Sequence, residues 1–289
     1  MEINLNKIKE GKTTEELLKF GIINIDKPLG PTSFWVSQYV KNALGLSKTS
    51  HLGTLDPTIV SGVLPVALNR ACRLNEYLMH KDKTYVGIIR VHKEISIENL
   101  QKTANNFIGK INQIPPKRSS VKRAVREREV KSFNILEKKD KDFLFLSQVQ
   151  AGTYIRKLCS DAGEKIGGAH MLELRRTEAG IFNEESSINL YEFDKIIEEY
   201  KKGNESPLRK VLVSGEIVST ILPIIKIRKD VVKKVLTGSP IFSSFLAEIP
   251  DKKIKSGDKV VVYAEDRFIG CYNYINSKDL IAKPEFVLN

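Results

Sequence analysis

Three side chains in this sequence could do chemistry together: a carboxylate, a phenol and a guanidinium. The carboxylate is Asp56, in the stretch SHLGTLDP, where Gly53 and Pro57 frame a tight loop. Such loops often hold functional groups on a rigid scaffold. An Asp-Pro pair is also an ordinary turn former, and from spacing alone that plainer reading is the commoner one. Tyr85 stands in KTYVGIIRVH, where Tyr85, Gly87, Ile89 and Val91 share one face of a strand. It is a core aromatic by default, and a stacking surface for a nucleobase if a pocket opens beside it. Arg156 follows Ile155 at the flank of an apolar helix face. Alone it is a surface arginine; beside a buried acid it is a bidentate partner. His51 could stack on RNA or donate to it, and is as easily a satisfied structural histidine.

Other chemistries lack their residues. The three cysteines, Cys72, Cys159 and Cys271, lie far apart and form no CxxC pair. The four histidines, His51, His80, His92 and His170, show no zinc spacing, so no metal site is expected. Each cysteine reads as a small buried hydrophobe. No P-loop, GxGxxG fingerprint or nucleophile elbow is present, which removes support for nucleotide hydrolysis and dinucleotide chemistry.

The charge balance points to an anionic partner. The 289 residues carry 47 Lys+Arg against 35 Asp+Glu, a net charge of +12. Placement says more than the total. After Pro115 and Pro116 come Lys117, Arg118, Lys122, Arg123, Arg126, Arg128 and Lys131, the densest cationic stretch of the chain. It reads as a basic loop for phosphates, against the alternative of a solvated face. No apolar run reaches membrane-spanning length, and MEINLNKIKEGKTTEELL lacks the apolar block of a signal peptide. The expectation is a soluble, cytoplasmic protein.

The elements that must position these residues follow from periodicity. GIINI is a strand, stopped by Pro28. PTSFWVSQYVKNALG is a helix capped by Thr32 or Ser33, with Val36, Tyr39, Val40, Ala43 and Leu44 on one face. SGVLPVAL is a strand leading into a short helix at NRACRLNEYL, and Lys83 to His92 is another strand. SIENLQKTANNFIG is a helix capped by Ser96, with Ile97, Leu100, Ala104, Phe107 and Ile108 inward. VKSFNILEK and DFLFLSQVQA are strands. GTYIRKLCSDAGEKIGG is a helix capped by Thr153, and AHMLELRRTEAGIF is a strand with a basic edge. YKKGNESPLRK is a polar connection. After Leu222 the pattern restarts as a compact β-rich module with a helix at KDVVKKVLTG.

Four stretches together resemble the sequential motifs of TruB/dyskerin-type RNA pseudouridine synthases. They are GIINIDKPLGPTS, SHLGTLDPTIVSGVLPVALNRACRL, KTYVGIIRVH and AGTYIRKLCSDAG with GGAHMLELRRTEAG. The resemblance covers roughly residues 21–182, in the family's order, and its GTLDP core is the most specific part. Ser50-His51 and Ser61-Gly62 depart from the family's usual Gly-His and Thr-Gly. Residues 222–289 resemble a PUA domain, an RNA-binding module. The compact segment after the Tyr85 strand and its PP-R-S-VKR pattern resemble the archaeal and eukaryotic branch, the catalytic subunit of box H/ACA ribonucleoproteins. The absence of long Lys-rich tails favours the archaeal form.

The resemblance implies an α+β fold, with a mixed, largely antiparallel central sheet flanked by helices and a small β-rich C-terminal PUA domain. It implies an N-terminal extension, residues 1–20, packing on the C-terminal domain, a catalytic domain at 21–215 and a PUA domain at 220–289. It implies an isomerase that turns uridine into pseudouridine without a cofactor. Asp56 would be the essential acid, Arg156 its charge partner and Tyr85 the ring that stacks on the target base. His51, Leu174 and Lys27 would line the substrate pocket, Lys27 with Pro28 bracing the loop near Asp56. Lys117, Arg118, Lys122, Arg123, Arg126 and Arg128 would contact RNA from a thumb-like loop. Partners would be a guide RNA, rRNA substrate, small Nop and Gar proteins and a kink-turn-binding ribosomal-type protein. A stand-alone tRNA T-loop synthase and a non-catalytic RNA-binding scaffold are the alternatives.

Overall fold

The chain folds into two units, each built from separate stretches of sequence. The computed structural model describes residues 3–56, 58–115 and 123–289. Pro57, Lys117, Arg118 and Lys122 lie outside the described residues. In chain order the first elements are α1 (Leu5–Glu10), α2 (Thr14–Lys19), β1 (Gly21–Lys27), α3 (Ser33–Ala43), β2 (Thr49–His51) and β3 (Val60–Leu68). Next come α4 (Asn75–Leu78), β4 (Lys83–Val91), α5 (Ile97–Asn105), β5 (Gly109–Gln113), β6 (Arg126–Lys139) and β7 (Asp142–Val149). Then follow α6 (Ile155–Glu164), β8 (Ala169–Ala179), β9 (Phe182–Asn183), β10 (Ile188–Asn189), α7 (Leu190–Lys201) and α8 (Ser206–Val211). The last are β11 (Leu212–Ser214), β12 (Ile224–Lys226), α9 (Val232–Leu236), β13 (Ile241–Phe242), β14 (Lys259–Ala264), β15 (Arg267–Tyr274) and β16 (Leu280–Val287).

The larger unit comprises residues 23–68 and 75–211. Its sheet runs β10-β1-β3-β8-β4-β7-β6-β5. The β1–β10 and β3–β8 pairs are parallel, whereas β8–β4, β4–β7, β7–β6 and β6–β5 are antiparallel. The sheet is therefore mixed and largely antiparallel. β4 buries every second residue, Lys83, Tyr85, Gly87, Ile89 and Val91, as a strand with one covered face must. β3 is buried almost throughout, as its continuous apolar run implies. Thr32 caps α3 by accepting from the Trp35 amide at 3.0 Å.

The parallel contact of β3 with β8 depends on a glycine. Gly62 has φ +104°, and a Cβ there would stand 2.2 Å from the Arg176 carbonyl oxygen. Only a residue without a side chain lets the two backbones approach this closely.

The smaller unit gathers residues 1–22, 69–74 and 212–289. Its five-stranded sheet runs β12-β14-β15-β16-β13 around a core that includes Ile225, Val235, Val260, Val262, Ile269 and Tyr272. Phe20 packs on Phe268 and Phe286, with ring centroids 5.3 and 5.9 Å apart. Lys12 donates to Glu216, itself buried, at 2.5 Å. Among the described residues no helix is long and apolar enough to cross a membrane.

Several local expectations are corrected. Thr153 does not cap α6. Its hydroxyl donates to the Gln150 carbonyl at 2.8 Å, and the helix starts one residue later with Tyr154 as the cap. α5 stops at Asn105, which leaves Ile108 beyond its last turn and exposed. β6 begins at Arg126, so the end of the basic segment is strand rather than loop. The stretch read as a polar connection contains the end of α7 and all of α8 but its last residue. α7 itself, opened by an Asn189–Glu192 capping box and burying Phe193 and Ile197, was not anticipated.

Gly62→Ala is expected to lower stability by roughly 2–5 kcal/mol, from backbone strain and overpacking combined. A urea titration followed by far-UV circular dichroism checks this; a midpoint equal to wild type would contradict the close β3–β8 approach.

Candidate active site

Asp56 lies on the loop between β2 and β3, and its backbone is pinned from both sides. The buried Ser33 hydroxyl accepts from the Leu55 amide at 2.8 Å and donates to the Leu55 carbonyl at 3.3 Å. On the far side the Val60 amide donates to the Asp56 carbonyl at 3.0 Å, and the Leu174 amide to the Ile59 carbonyl at 3.2 Å. The loop is thus stitched to α3 and to β8. Ser33 had been read only as a candidate cap; its second use needed a contact 22 residues away.

Both carboxylate oxygens of Asp56 are engaged. Oδ1 accepts from the Thr58 amide at 3.1 Å and the Thr58 hydroxyl at 2.8 Å. Oδ2 accepts from Arg156 at 2.6 Å. The plain turn reading and the charge-partner geometry both hold, one on each oxygen. Burial raises the Asp56 pKa, but the Thr58 hydroxyl and amide and the Arg156 charge outweigh it. The carboxyl is held below its ordinary range. With 41% of the side chain exposed, this ionised group remains open to a ligand.

Arg156 comes from the first turn of α6, whose start is held by the buried Gln113. The Gln113 amide oxygen accepts from the Tyr154 amide at 2.9 Å, and its nitrogen donates to the Tyr154 carbonyl at 3.2 Å. No sequence signal marked Gln113, because its role is set by β5 reaching α6 in space.

Tyr85 is buried on β4, between Ser147 of β7 and Arg176 of β8. Leu174 is buried on β8, in register with Val60 and Gly87. His51 ends β2; burial, then the charge of Arg176, lowers its pKa, and its Nδ1 is buried without a hydrogen-bond partner. Lys27 is fully buried at the end of β1, and donates to the Pro28 and Pro31 carbonyls at 2.7 and 3.0 Å. It braces the turn into α3 and presents no surface to a pocket, which corrects its expected place among pocket-lining residues. Burial lowers its pKa while the Asp56 charge raises it.

Of the basic segment, Arg123 is exposed, and Arg126 and Arg128 lie half-buried on β6. The Arg128 guanidinium lies against Gly152, where a Cβ would come within 3.1 Å of Nε. Lys131 is committed to Asp82 in an ion pair. Two further buried cations escaped sequence reasoning. Burial, then the nearby Arg176, pushes Lys83 down to about 7. Arg176, only 1% exposed, lies in the basic run of β8 that reads as an edge.

A carboxylate held ionised by a threonine and a guanidinium coincides with what the chain is similar to. Residues 41–155 match the family model for the N-terminal domain of TruB family pseudouridylate synthases. Residues 156–218 match that of the tRNA pseudouridylate synthase B C-terminal domain. A probable tRNA pseudouridine synthase B from Methanopyrus kandleri is 43% identical over 256 residues, covering 88% of this chain and 75% of the relative. The chain belongs to the TruB family of pseudouridine synthases. It is an RNA isomerase. Among TruB family relatives, a probable tRNA pseudouridine synthase B from Nanoarchaeum equitans is 40% identical over 86% of this chain and 71% of its own length. Among solved structures, a chain of a Cbf5-Nop10-Gar1 complex superposes with TM-score 0.88 and 36% identity, covering 96% of this chain and 88% of that one. A chain of an H/ACA ribonucleoprotein bound to a substrate RNA containing 2′-deoxyuridine gives TM-score 0.88 and 33% identity, over 97% and 89%.

Arg156→Met removes one of the groups that depress the Asp56 pKa. The Asp56 carboxyl is expected to titrate at higher pH in the variant than in wild type, as read by carbon-13 NMR. An unchanged midpoint would assign the depression to Thr58 alone.

Proposed function

We propose that this chain is the catalytic subunit of a box H/ACA-type particle, converting RNA-selected uridines to pseudouridine. The observation that carries this reading is the likeness, over nearly the whole chain, to chains solved within Cbf5-Nop10-Gar1 and H/ACA ribonucleoprotein structures. On this reading the partners are a guide RNA, substrate rRNA, Nop10-like and Gar1-like proteins, and a kink-turn-binding ribosomal-type protein reached through the guide. The smaller unit, with its five-stranded sheet, serves as a PUA domain holding the guide RNA.

The reaction breaks the bond from the ribose to uracil N1, turns the base and rejoins it through C5. Asp56 is the group that acts on the ribose, as nucleophile or as base toward a ribose proton. Either role needs it ionised and in place. Arg156 and Thr58 supply the first condition, and the stitches from Ser33 and Val60 supply the second. Tyr85 stacks on the target base after it leaves its own stack, and Leu174 packs beside it. His51, held towards its neutral form, supports the flipped position. Arg123, Arg126 and Arg128, with Lys117, Arg118 and Lys122, neutralise phosphates along the approach.

A second reading has its own support. The relatives from Methanopyrus and Nanoarchaeum are named for tRNA, so a stand-alone T-loop activity is the alternative.

Tritium release from uridine-labelled RNA separates the two. The expected result is release from a guided target only when guide RNA and partner proteins are present, and none by Asp56→Asn. Release from bare tRNA without a guide would favour the second reading. A wild-type rate in Asp56→Asn would remove Asp56 from the chemistry.

A further inference from the structure

The most unusual side chain near Asp56 is one the reaction scheme does not use. Arg176 is only 1% exposed, yet its hydrogen bonds go to two carbonyls rather than to a carboxylate. Burying a guanidinium without an opposing charge is costly. The neighbouring buried cations add to that cost: burial and Arg176 together depress Lys83. An aliphatic side chain would fill this sheet position at lower free energy, so the arrangement calls for a reason.

The contacts supply one. The loop that carries Asp56 passes Gly53 on its outward run and has rejoined the sheet, in β3, at Val63. Arg176 donates to the Val63 carbonyl at 2.8 Å and to the Gly53 carbonyl at 3.2 Å. One planar fork therefore ties the two ends of the loop together, which a lysine's single ammonium cannot do with the same geometry. Gly53 has φ +114°, and a Cβ there would stand 3.4 Å from the Arg176 terminal nitrogen. Across the sheet Arg176 is the direct register partner of Tyr85, and that phenol offsets part of the burial that lowers the guanidinium's pKa.

We infer that Arg176 is a positioning residue that sets the Asp56 loop and the Tyr85 ring as one rigid pair. This rests on the proposed roles of Asp56 and Tyr85. Arg176 touches no reacting atom on this account. It fixes the separation between the carboxylate that addresses the ribose and the ring that addresses the base. Those two groups must meet the two halves of one nucleotide, so an error of a fraction of an ångström between them falls on the chemical step rather than on RNA binding.

The test is single-turnover kinetics on wild type, Arg176→Lys, Tyr85→Phe and the double variant, with Asp56→Asn alongside. Arg176→Lys is expected to lower the rate at saturating RNA by at least about tenfold. The RNA concentration for half saturation should stay within about twofold of wild type. In the Tyr85→Phe background the same change should cost clearly less, because part of its effect passes through the phenol. A loss seen only in RNA binding, an unchanged rate, or equal costs in the two backgrounds would overturn the positioning role. A wild-type rate in Asp56→Asn would instead sink the site reading beneath it. Should Arg176→Lys fail to fold, wild-type NMR decides: the Arg176 Nε proton should exchange slowly with solvent and lose that protection in Tyr85→Phe. Fast exchange in wild type, or protection that the phenol's removal leaves unchanged, overturns the inference.

Discussion

Asp56 has to stay charged on a loop whose burial favours the neutral acid. Everything near Asp56 answers that requirement. Its own loop can satisfy one oxygen, through Thr58, because the hydroxyl and amide lie two residues away. The other oxygen needs a cation from elsewhere, and Arg156 comes from a helix 100 positions later. The fold exists, in this sense, to bring the first turn of α6 to the β2–β3 loop. The Thr58 hydrogen bonds and the Arg156 charge together then outweigh the penalty of burial.

That meeting is held by side chains with no part in the chemistry. Ser33 fixes the backbone before Asp56, and Gln113 fixes the backbone before Arg156; both are buried and both use two hydrogen bonds. Gly62 lets β3 lie close enough to β8 for Leu174 and Arg176 to stand beside the loop. The supporting shell is polar and well satisfied, so it resists small displacements in a way that an apolar shell would not. Its members come from α3, β3, β5 and β8, which explains why one loop can be both exposed and rigid.

Charge is distributed unevenly around this centre. Several of the described cations are already committed to partners. Lys131 is held by Asp82, Arg90 by Asp142 and Arg175 by Asp26 and Glu184. Lys27, Lys83 and Arg176 are spent inside, on carbonyls. Of the basic segment, Arg123 stays exposed, and Arg126 and Arg128 are half-buried, with the Arg128 guanidinium against Gly152.

Much of this was legible in one dimension. The period-two burial of β4, the Thr32 cap of α3 and the apolar run of β3 follow from residue order, because each depends on neighbours a few positions away. The GTLDP stretch, with Tyr85 and Arg156 in matching surroundings, named the family before any geometry was available. What the chain could not declare was long-range. Gln113 carries no local mark of its clamp, Thr153 looks like a cap until Gln150 takes its hydroxyl, and Arg176 looks like a surface cation on a basic edge. Local sequence determined which elements form and which side chains are able to react. The tertiary structure decided which of them meet, and whether a cation faces solvent or stands buried beneath the loop. Hydrogen bonding and desolvation depend on distances in space, and those are set only when strands 78 to 114 positions apart come into register.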